Sequence, residues 1–301
     1  HLLIYDIFRY VAENLVLSAK CDEKNGNSGA LNQRTVLFDE MTMGQIMAGF
    51  PDLYGFPHQL LAVFLVSEID QLTCVPYIDA VESYGLPADC CPVPSSECGA
   101  LVIDALPHMG ACFLSSSMPC DGSTMASSYM SRRFPELPVF HLTFPVRYEY
   151  EETVEDAAED IKACIKFVEE QTGAKWNWDA YFTAMKRFNE ETKYELEKWE
   201  VNKTAKPQIL GPCYELFRKW NYEMDGGADP RVMKTCKKVN KLMLQAYDRG
   251  EEAWRGKMKY RGIVWSCPAH YYANFSNWLA NCWGVDILVE MESLNFTKPL
   301  E

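Results

Sequence analysis

Positive charge is scarce in this 301-residue sequence: 29 lysines and arginines stand against 42 aspartates and glutamates, a formal net charge of −13. A protein that follows a phosphate backbone needs a basic face, so nucleic acid is excluded as the expected partner. Long apolar runs are lacking as well. The longest, Leu60 to Val66, is cut off by Glu68 and Asp70, well short of the roughly 20 residues that span a bilayer. No membrane partner is expected. The opening stretch, HLLIYDIFRYVAENLVLSAK, sets Leu3, Ile7, Val11 and Leu15 on one face of an amphipathic helix. Acids interrupt it, so it does not read as a secretory signal. Because it opens on His1 rather than Met, the chain is expected to be the ordered part of a longer protein. Internal repeats and low-complexity tracts are absent.

The spacings that define common cysteine sites are also missing. There is no C-x-x-C pair, which excludes the usual zinc ribbons, and no ferredoxin-type run. Cysteine itself is plentiful, with twelve residues scattered from Cys21 to Cys282. Secreted disulfide scaffolds are shorter and far denser in cysteine, so a reducing cytoplasm is the expected location. Most of these thiols, Cys164 and Cys236 among them, are expected to be buried side chains with no chemical role.

What is present is an alternation of strand-like and helix-like segments. TVLFDE (35–40), ACFLSSS (111–117) and PVFHLTF (138–144) are short, continuously apolar runs, as expected of strands buried on both faces. Helix-like stretches near 57–68, 96–106 and 122–133 lie between them. The pattern predicts an α/β fold, a parallel-sheet Rossmann- or flavodoxin-like lobe over 35–150 that follows an N-terminal helical segment, 1–34. A helical segment is expected over 151–257. Thr153 and Asp156 make a capping-box-like start, Val154, Ala158, Ile161, Ile165 and Val168 form one stripe, and Gly173 ends the first helix. A second helix is predicted from about Trp178 to Trp199, with Phe182, Met185, Leu196 and Trp199 facing inward. A break over 201–212 precedes helices near 213–222 and 230–249. GIVWSC (262–267), a helix-like 271–282 and VDILVE (285–290) read as the start of a second α/β lobe over 258–301, expected to be incomplete at Glu301.

Two stretches carry the chemistry. In ACFLSSSMPCDGST (111–124) an apolar strand ends in small polar residues, followed by Cys120 and a helix start. In DCCPVPSSEC (89–98) the doublet Cys90-Cys91 also precedes a helix start, at about Ser96. Ligands of parallel α/β sheets sit beyond the carboxyl ends of the strands, and a helix N-terminus favours a thiolate or an anionic cluster. Thiolates from two such loops can meet at one point above a sheet without being close in sequence. From the residues alone, metal or cluster ligation and inert thiols both remain open.

The stretches ESYGLPADCCPVPSSECGALV and SSSMPCDGSTMASSYM, with FVEEQTGAKWNWD further on, resemble the 2-hydroxyacyl-CoA dehydratase component family, which includes subunits of 2-hydroxyglutaryl-CoA dehydratase and benzoyl-CoA reductase. The resemblance runs from about Thr35 to the chain end, sharpest at Cys91-Pro92 and Cys120-Asp121-Gly122. It implies an oxygen-sensitive, heterodimeric lyase of anaerobic metabolism. It also implies a [4Fe-4S] cluster held by three cysteines per site, with Cys91 and Cys120 matching the first two metal ligands. Cys90 is the alternative to Cys91, and Cys98 is assigned to packing. The family's last cysteine lies late in the second lobe, and Cys267 does not match that position. Either the C-terminal part is missing, or this is a divergent member with an incomplete site. The implied partners are an acyl-CoA substrate, a homologous partner subunit and an ATP-dependent iron–sulfur activator protein. The implied reaction removes water from a 2-hydroxyacyl-CoA through a ketyl radical after one-electron activation. An acyl-CoA reductase subunit of the benzoyl-CoA type, or a cluster-carrying electron-transfer or scaffold subunit, is the alternative.

The groups that would handle protons or substrate are less marked. Glu40 and Thr42 sit just past the first strand beside Asp39, as catalytic candidates or as solvated edge charges. Ser115 to Ser117, with Ser117 the catalytic candidate, would hydrogen-bond cluster sulfides or cap the following helix. His141 reads as a satisfied core histidine, and His58 and His108 carry no pattern. Arg132, Arg133 and Arg147 are candidates for the phosphates of CoA, or ordinary exposed arginines at helix ends.

Overall fold

The structure, a computed structural model, describes residues 9, 12–13, 34–39, 43–59, 62, 70, 72–105, 110–117, 121–144, 150–209, 225–253, 258–264 and 275–290. The expected site residues Glu40, Thr42 and Cys120 lie outside this set, as do Cys267, Arg147, His108, most of the helical segments near 1–34 and 57–68, and the helix near 213–222.

Four strands form an all-parallel sheet in the order β2-β1-β3-β4: β1 (Thr35–Phe38), β2 (Tyr54–Pro57), β3 (Cys112–Ser116) and β4 (Val139–Leu142). Val36 pairs with Cys112 across β1 and β3, and Ser115 pairs with His141 across β3 and β4. All of β1 and β3 are buried, because helices cover both faces. Successive side chains alternate between the faces. Leu37 and Phe113 meet one core, with Tyr77, Leu101, Met130 and Val239. Val36, Phe38, Cys112 and Leu114 meet the other, with Ile46, Cys164 and Val168. The parallel α/β lobe predicted from the sequence is the one found.

The helices are α1 (Met43–Met47), α2 (Cys74–Ser83), α3 (Pro92–Val102), α4 (Asp121–Arg133), α5 (Glu151–Thr172), α6 (Trp178–Asn202) and α7 (Pro230–Asp248). Chain order sets the site. From β1 the chain moves outward to β2, then crosses back through α2 and α3 to β3 on the other side of β1. The connections therefore diverge between β1 and β3. That divergence is the switch point at whose carboxyl edge α/β sheets open a crevice.

Several local expectations need correction. Helix α3 begins at Pro92 rather than near Ser96, because Pro92 and Pro94 fall in a first turn whose amides need no partner. Residues 94–101 are all buried, so the helix shows no amphipathic face to read. A methyl at Gly99 would run into the Tyr77 carbonyl, so glycine lets α2 and α3 touch backbone to backbone. Helix α5 begins at Glu151 with Tyr150 at its N-cap and no side-chain cap, so Thr153 lies inside the helix rather than starting it. Its stripe packs through Ile161, Cys164, Ile165 and Val168, while Val154 is 60% exposed. Gly173 ends it in the left-handed conformation, as expected. In α6, Phe182 faces outward, stacked on Trp178, and Glu191, Glu195 and Lys198 turn inward instead. Lys198 is ion-paired to Glu195, which makes their burial tolerable.

Strands β5 (Tyr260–Val264) and β6 (Val285–Glu290) pair in parallel as a separate two-stranded sheet. The short helix α8 (Phe275–Trp278) and one π turn lie between them. Asn202, at the end of α6, donates to Leu288 O at 3.1 Å and accepts from Arg261 at 2.7 Å through its carbonyl.

Candidate functional site

Helices α3 and α4 both start at the carboxyl edge of the sheet. Helix α3 must descend from that edge to feed β3, and α4 starts there after leaving β3. Cys91 is the N-cap of α3, and its carbonyl accepts from Ser95 N at 3.2 Å. Pro92 and Pro94 have no N–H, so this helix end presents fewer donors than an ordinary one. Cys90 and Cys91 are both partly buried. Cys90 Sγ lies 3.6 Å from Met125 Sδ, one turn into α4. Helix α4 begins at Asp121, the residue after Cys120. The Cys90–Cys91 loop and the first turns of α4 are therefore in contact. Burial raises the Cys90 thiol pKa, and the neighbouring Asp89, Cys91 and Glu82 add to that.

The other described cysteines differ. Cys98 is fully buried, its Sγ 3.8 Å from Ala126 O between α3 and α4. Burial first, then Glu97 and Cys90, pushes its pKa well up. Cys112 and Cys164 sit together under the opposite face, and burial pushes Cys112 to about 12. Cys74 and Cys236 are buried too, and Cys282 is exposed. Among the described residues, no group of three His, Cys, Asp or Glu side chains is placed to hold a metal ion.

A polar chain lies across the same carboxyl edge. Asp39, 3% exposed at the end of β1, accepts on Oδ2 from Ser115 Oγ and Ser116 N, each at 2.9 Å. Ser115 Oγ is 3.3 Å from His141 Nδ1, and Ser127 Oγ on α4 is 3.1 Å from that same nitrogen. Thr124 Oγ1 lies 3.3 Å from Nε2. His141 is thus hydrogen-bonded, but it is only partly buried at the strand edge rather than enclosed in the core. Burial lowers its pKa, and Asp160 on α5 opposes that. Sequence reasoning missed this group; the available signal was that His141 and the Ser115–Ser117 run both end strands. Ser117 is committed to β4: its N–H donates to Leu142 O and its Oγ accepts from Phe144 N, both at 2.9 Å. Neither Ser115 nor Ser117 caps α4. Arg132 and Arg133 lie in the last turn of α4, at the far end of that helix from Asp121.

Buried chemistry continues beside β2. Glu97, 1% exposed in α3, accepts from Gln59 Nε2 at 3.0 Å and lies 3.9 Å from His58 Nδ1. A cavity of about 730 Å³ lies away from the cysteines, between the α1–β2 turn and the starts of α6 and α7, where Tyr54, Arg187 and Asp225 line it. Among the described residues, no helix is long and apolar enough to cross a membrane.

The architecture is that of a Rossmann- or flavodoxin-like α/β lobe with cysteine-bearing loops at the carboxyl edge of its sheet. The family model for 2-hydroxyglutaryl-CoA dehydratase, D-component, matches residues 71–300, which include both cysteine loops, and the chain belongs to that family. No curated protein matches it. The chain is accordingly a 2-hydroxyacyl-CoA dehydratase component.

Proposed function

We propose that this chain is the cluster-bearing subunit of an iron–sulfur 2-hydroxyacyl-CoA dehydratase, acting with a homologous partner subunit. The observation that carries this reading is the contact between Cys90 and Met125, which joins the Cys90–Cys91 loop to the helix that follows Cys120. Partly buried thiols at a sheet's switch point suit an iron–sulfur group, because thiolate sulfur is its normal donor. Cys91 and Cys120 would hold it, with Cys90 the alternative to Cys91 and the remaining donor coming from outside the described residues. A [4Fe-4S] cluster there would supply one-electron transfer and a Lewis-acidic iron for the thioester carbonyl.

The chain's own residues shape the surroundings. Ser117 ties the end of β3 to the residues after β4, which fixes where the loop to α4 departs. Asp39 anchors the ends of β1 and β3 through Ser115 and Ser116. The β-hydrogen of a 2-hydroxyacyl-CoA is unactivated. Its loss becomes feasible after an electron is added to the acyl group, and an ATP-driven activator protein is the source this reading requires. Glu40 and Thr42, just beyond Asp39, remain proposed to contact the substrate. The test is an anaerobic assay of the chain with its partner subunit, the activator, ATP and a 2-hydroxyacyl-CoA. Formation of the 2-enoyl-CoA supports the reading. Net two-electron reduction of an acyl-CoA, or no reaction with an iron-replete complex, overturns it.

A further inference from the structure

The hydrogens of the polar chain at the carboxyl edge can be assigned one by one. Ser115 Oγ donates to Asp39 Oδ2, a carboxylate oxygen able only to accept. Ser127 Oγ donates to Thr124 O at 3.0 Å. With each serine hydrogen placed on those acceptors, both hydroxyls turn lone pairs toward His141 Nδ1. This pattern assigns the ring proton to Nδ1, shared between the two serine oxygens. Nε2 is left as a lone-pair acceptor, and the hydrogen that meets it comes from Thr124 Oγ1.

The position of this base matters as much as its tautomer. Thr124 is exposed in the first turn of α4, the helix that starts right after Cys120. His141 pairs in register with Ser115 at the carboxyl end of the sheet. Among the described residues its charged surroundings are few. Asp160 on α5 is the charge felt most directly, Asp39 on β1 lies beyond Ser115, and α4 offers the hydroxyls of Thr124 and Ser127. Burial holds the ring below its ordinary pKa, so it is neutral at neutral pH.

We propose that His141 Nε2 is the base that takes the β-proton in the dehydration, with the Thr124 hydroxyl closing the base until substrate arrives. The proposal rests on the dehydratase reading above. The step balances within one water. The C3–H bond gives its proton to Nε2 and its electron pair to the new C2=C3 double bond, while the C2–O bond breaks and hydroxide leaves. The imidazolium then returns the proton to that hydroxide. The activating electron stays on the acyl group through this step and passes from the 2-enoyl thioester back to the one-electron donor that supplied it, so the net reaction is redox-neutral.

The experiment uses the complete complex with activator and ATP, comparing wild type, His141→Gln and Thr124→Val over a range of pH. Glutamine can hydrogen-bond but cannot take a proton. His141→Gln is expected to lower turnover by roughly 100-fold or more and to erase the acid limb of the kcat/KM profile, with iron content unchanged. Thr124→Val, at an exposed position safe for folding, removes the donor that stabilises neutral Nε2. It should move the acid limb to higher pH while turnover persists. Wild-type turnover and an unmoved acid limb in both variants overturn the proposal and leave the dehydratase reading standing. A wild-type complex that is iron-replete but forms no 2-enoyl-CoA overturns both.

Discussion

Cys98 and Cys90 are eight residues apart, yet they occupy opposite chemical worlds. Cys98 is fully enclosed between α3 and α4, and burial, with Glu97 and Cys90 adding to it, holds its thiol pKa well above the ordinary value. Cys90 and Cys91 stand at the mouth of the same helix, partly buried, one thiol touching the thioether of Met125. The difference is one of position in the fold. A helix that feeds a parallel strand buries its middle and presents its N-terminus at the carboxyl edge, so the first cysteines meet the crevice and the later one meets the core. The described cysteines therefore split into a packing population, Cys74, Cys98, Cys112, Cys164 and Cys236, and the edge pair Cys90 and Cys91, with Cys282 exposed elsewhere.

Breaking the edge population should have the largest effect. Cys91→Ala and Cys120→Ala are each expected to abolish bound iron and dehydratase activity in the assembled complex, as read by anaerobic metal analysis and product formation. Cys90→Ala separates the members of the doublet. If Cys91 is the ligand, Cys90→Ala keeps most of the iron, and an equal loss in both variants would instead make the doublet act together.

The packing population should respond in stability and not in iron. Cys112→Ser places a hydroxyl in the apolar layer under β3 and is expected to destabilise by about 1–3 kcal/mol in chemical denaturation. The iron content of the complex should not change. Alkylation gives the same contrast without mutation. A thiol reagent should modify Cys282, Cys90 and Cys91 in the native, cluster-free chain, whereas Cys74, Cys98, Cys112, Cys164 and Cys236 should react only on unfolding, as mapped by mass spectrometry. Early labelling of Cys98 or Cys112 would break the comparison.

Carboxylates follow the same rule with a smaller effect. Burial, then the charges of Asp225 and Glu195, pushes Glu191 up to about 9, with Arg187 opposing. Between the ordinary value of 4.5 and about 9, the folded chain keeps a proton that the unfolded chain has lost. Stability should therefore fall as pH rises through that window and level off above it. Glu191→Gln should flatten this slope in melts taken from pH 5 to pH 9. A wild-type curve that rises with pH across the window would contradict the assignment.

Much of this was legible in the sequence, for physical reasons. Strands β1, β3 and β4 are continuous apolar runs ending in polar residues, so both their existence and their parallel arrangement could be read. Strand β2, Tyr-Gly-Phe-Pro, could not, because Gly and Pro mark turns in isolation and only the neighbouring β1 makes this segment a strand. Helices α2 and α3 were displaced or missed because each carries proline in its first turn, and α3 is buried almost all round as well. The inward Glu191, Glu195 and Lys198 of α6 reversed the apolar reading because their partners come from one another and from elements distant in sequence. At the site, the two cysteine loops were visible as segments that each precede a helix start. His141 was not, since its role depends on three hydroxyls brought together by β3 and α4.

The central claim is that Cys91 and Cys120, from two loops at one sheet edge, hold a single iron–sulfur group. The most direct measurement is iron and acid-labile sulfide in the anaerobically purified complex, for wild type and for each cysteine variant. The account predicts roughly four iron and four sulfide per assembled site in the wild type and none in Cys91→Ala or Cys120→Ala, with Cys98→Ala unchanged. Iron that persists in both edge variants, or a wild-type complex without iron, would contradict it.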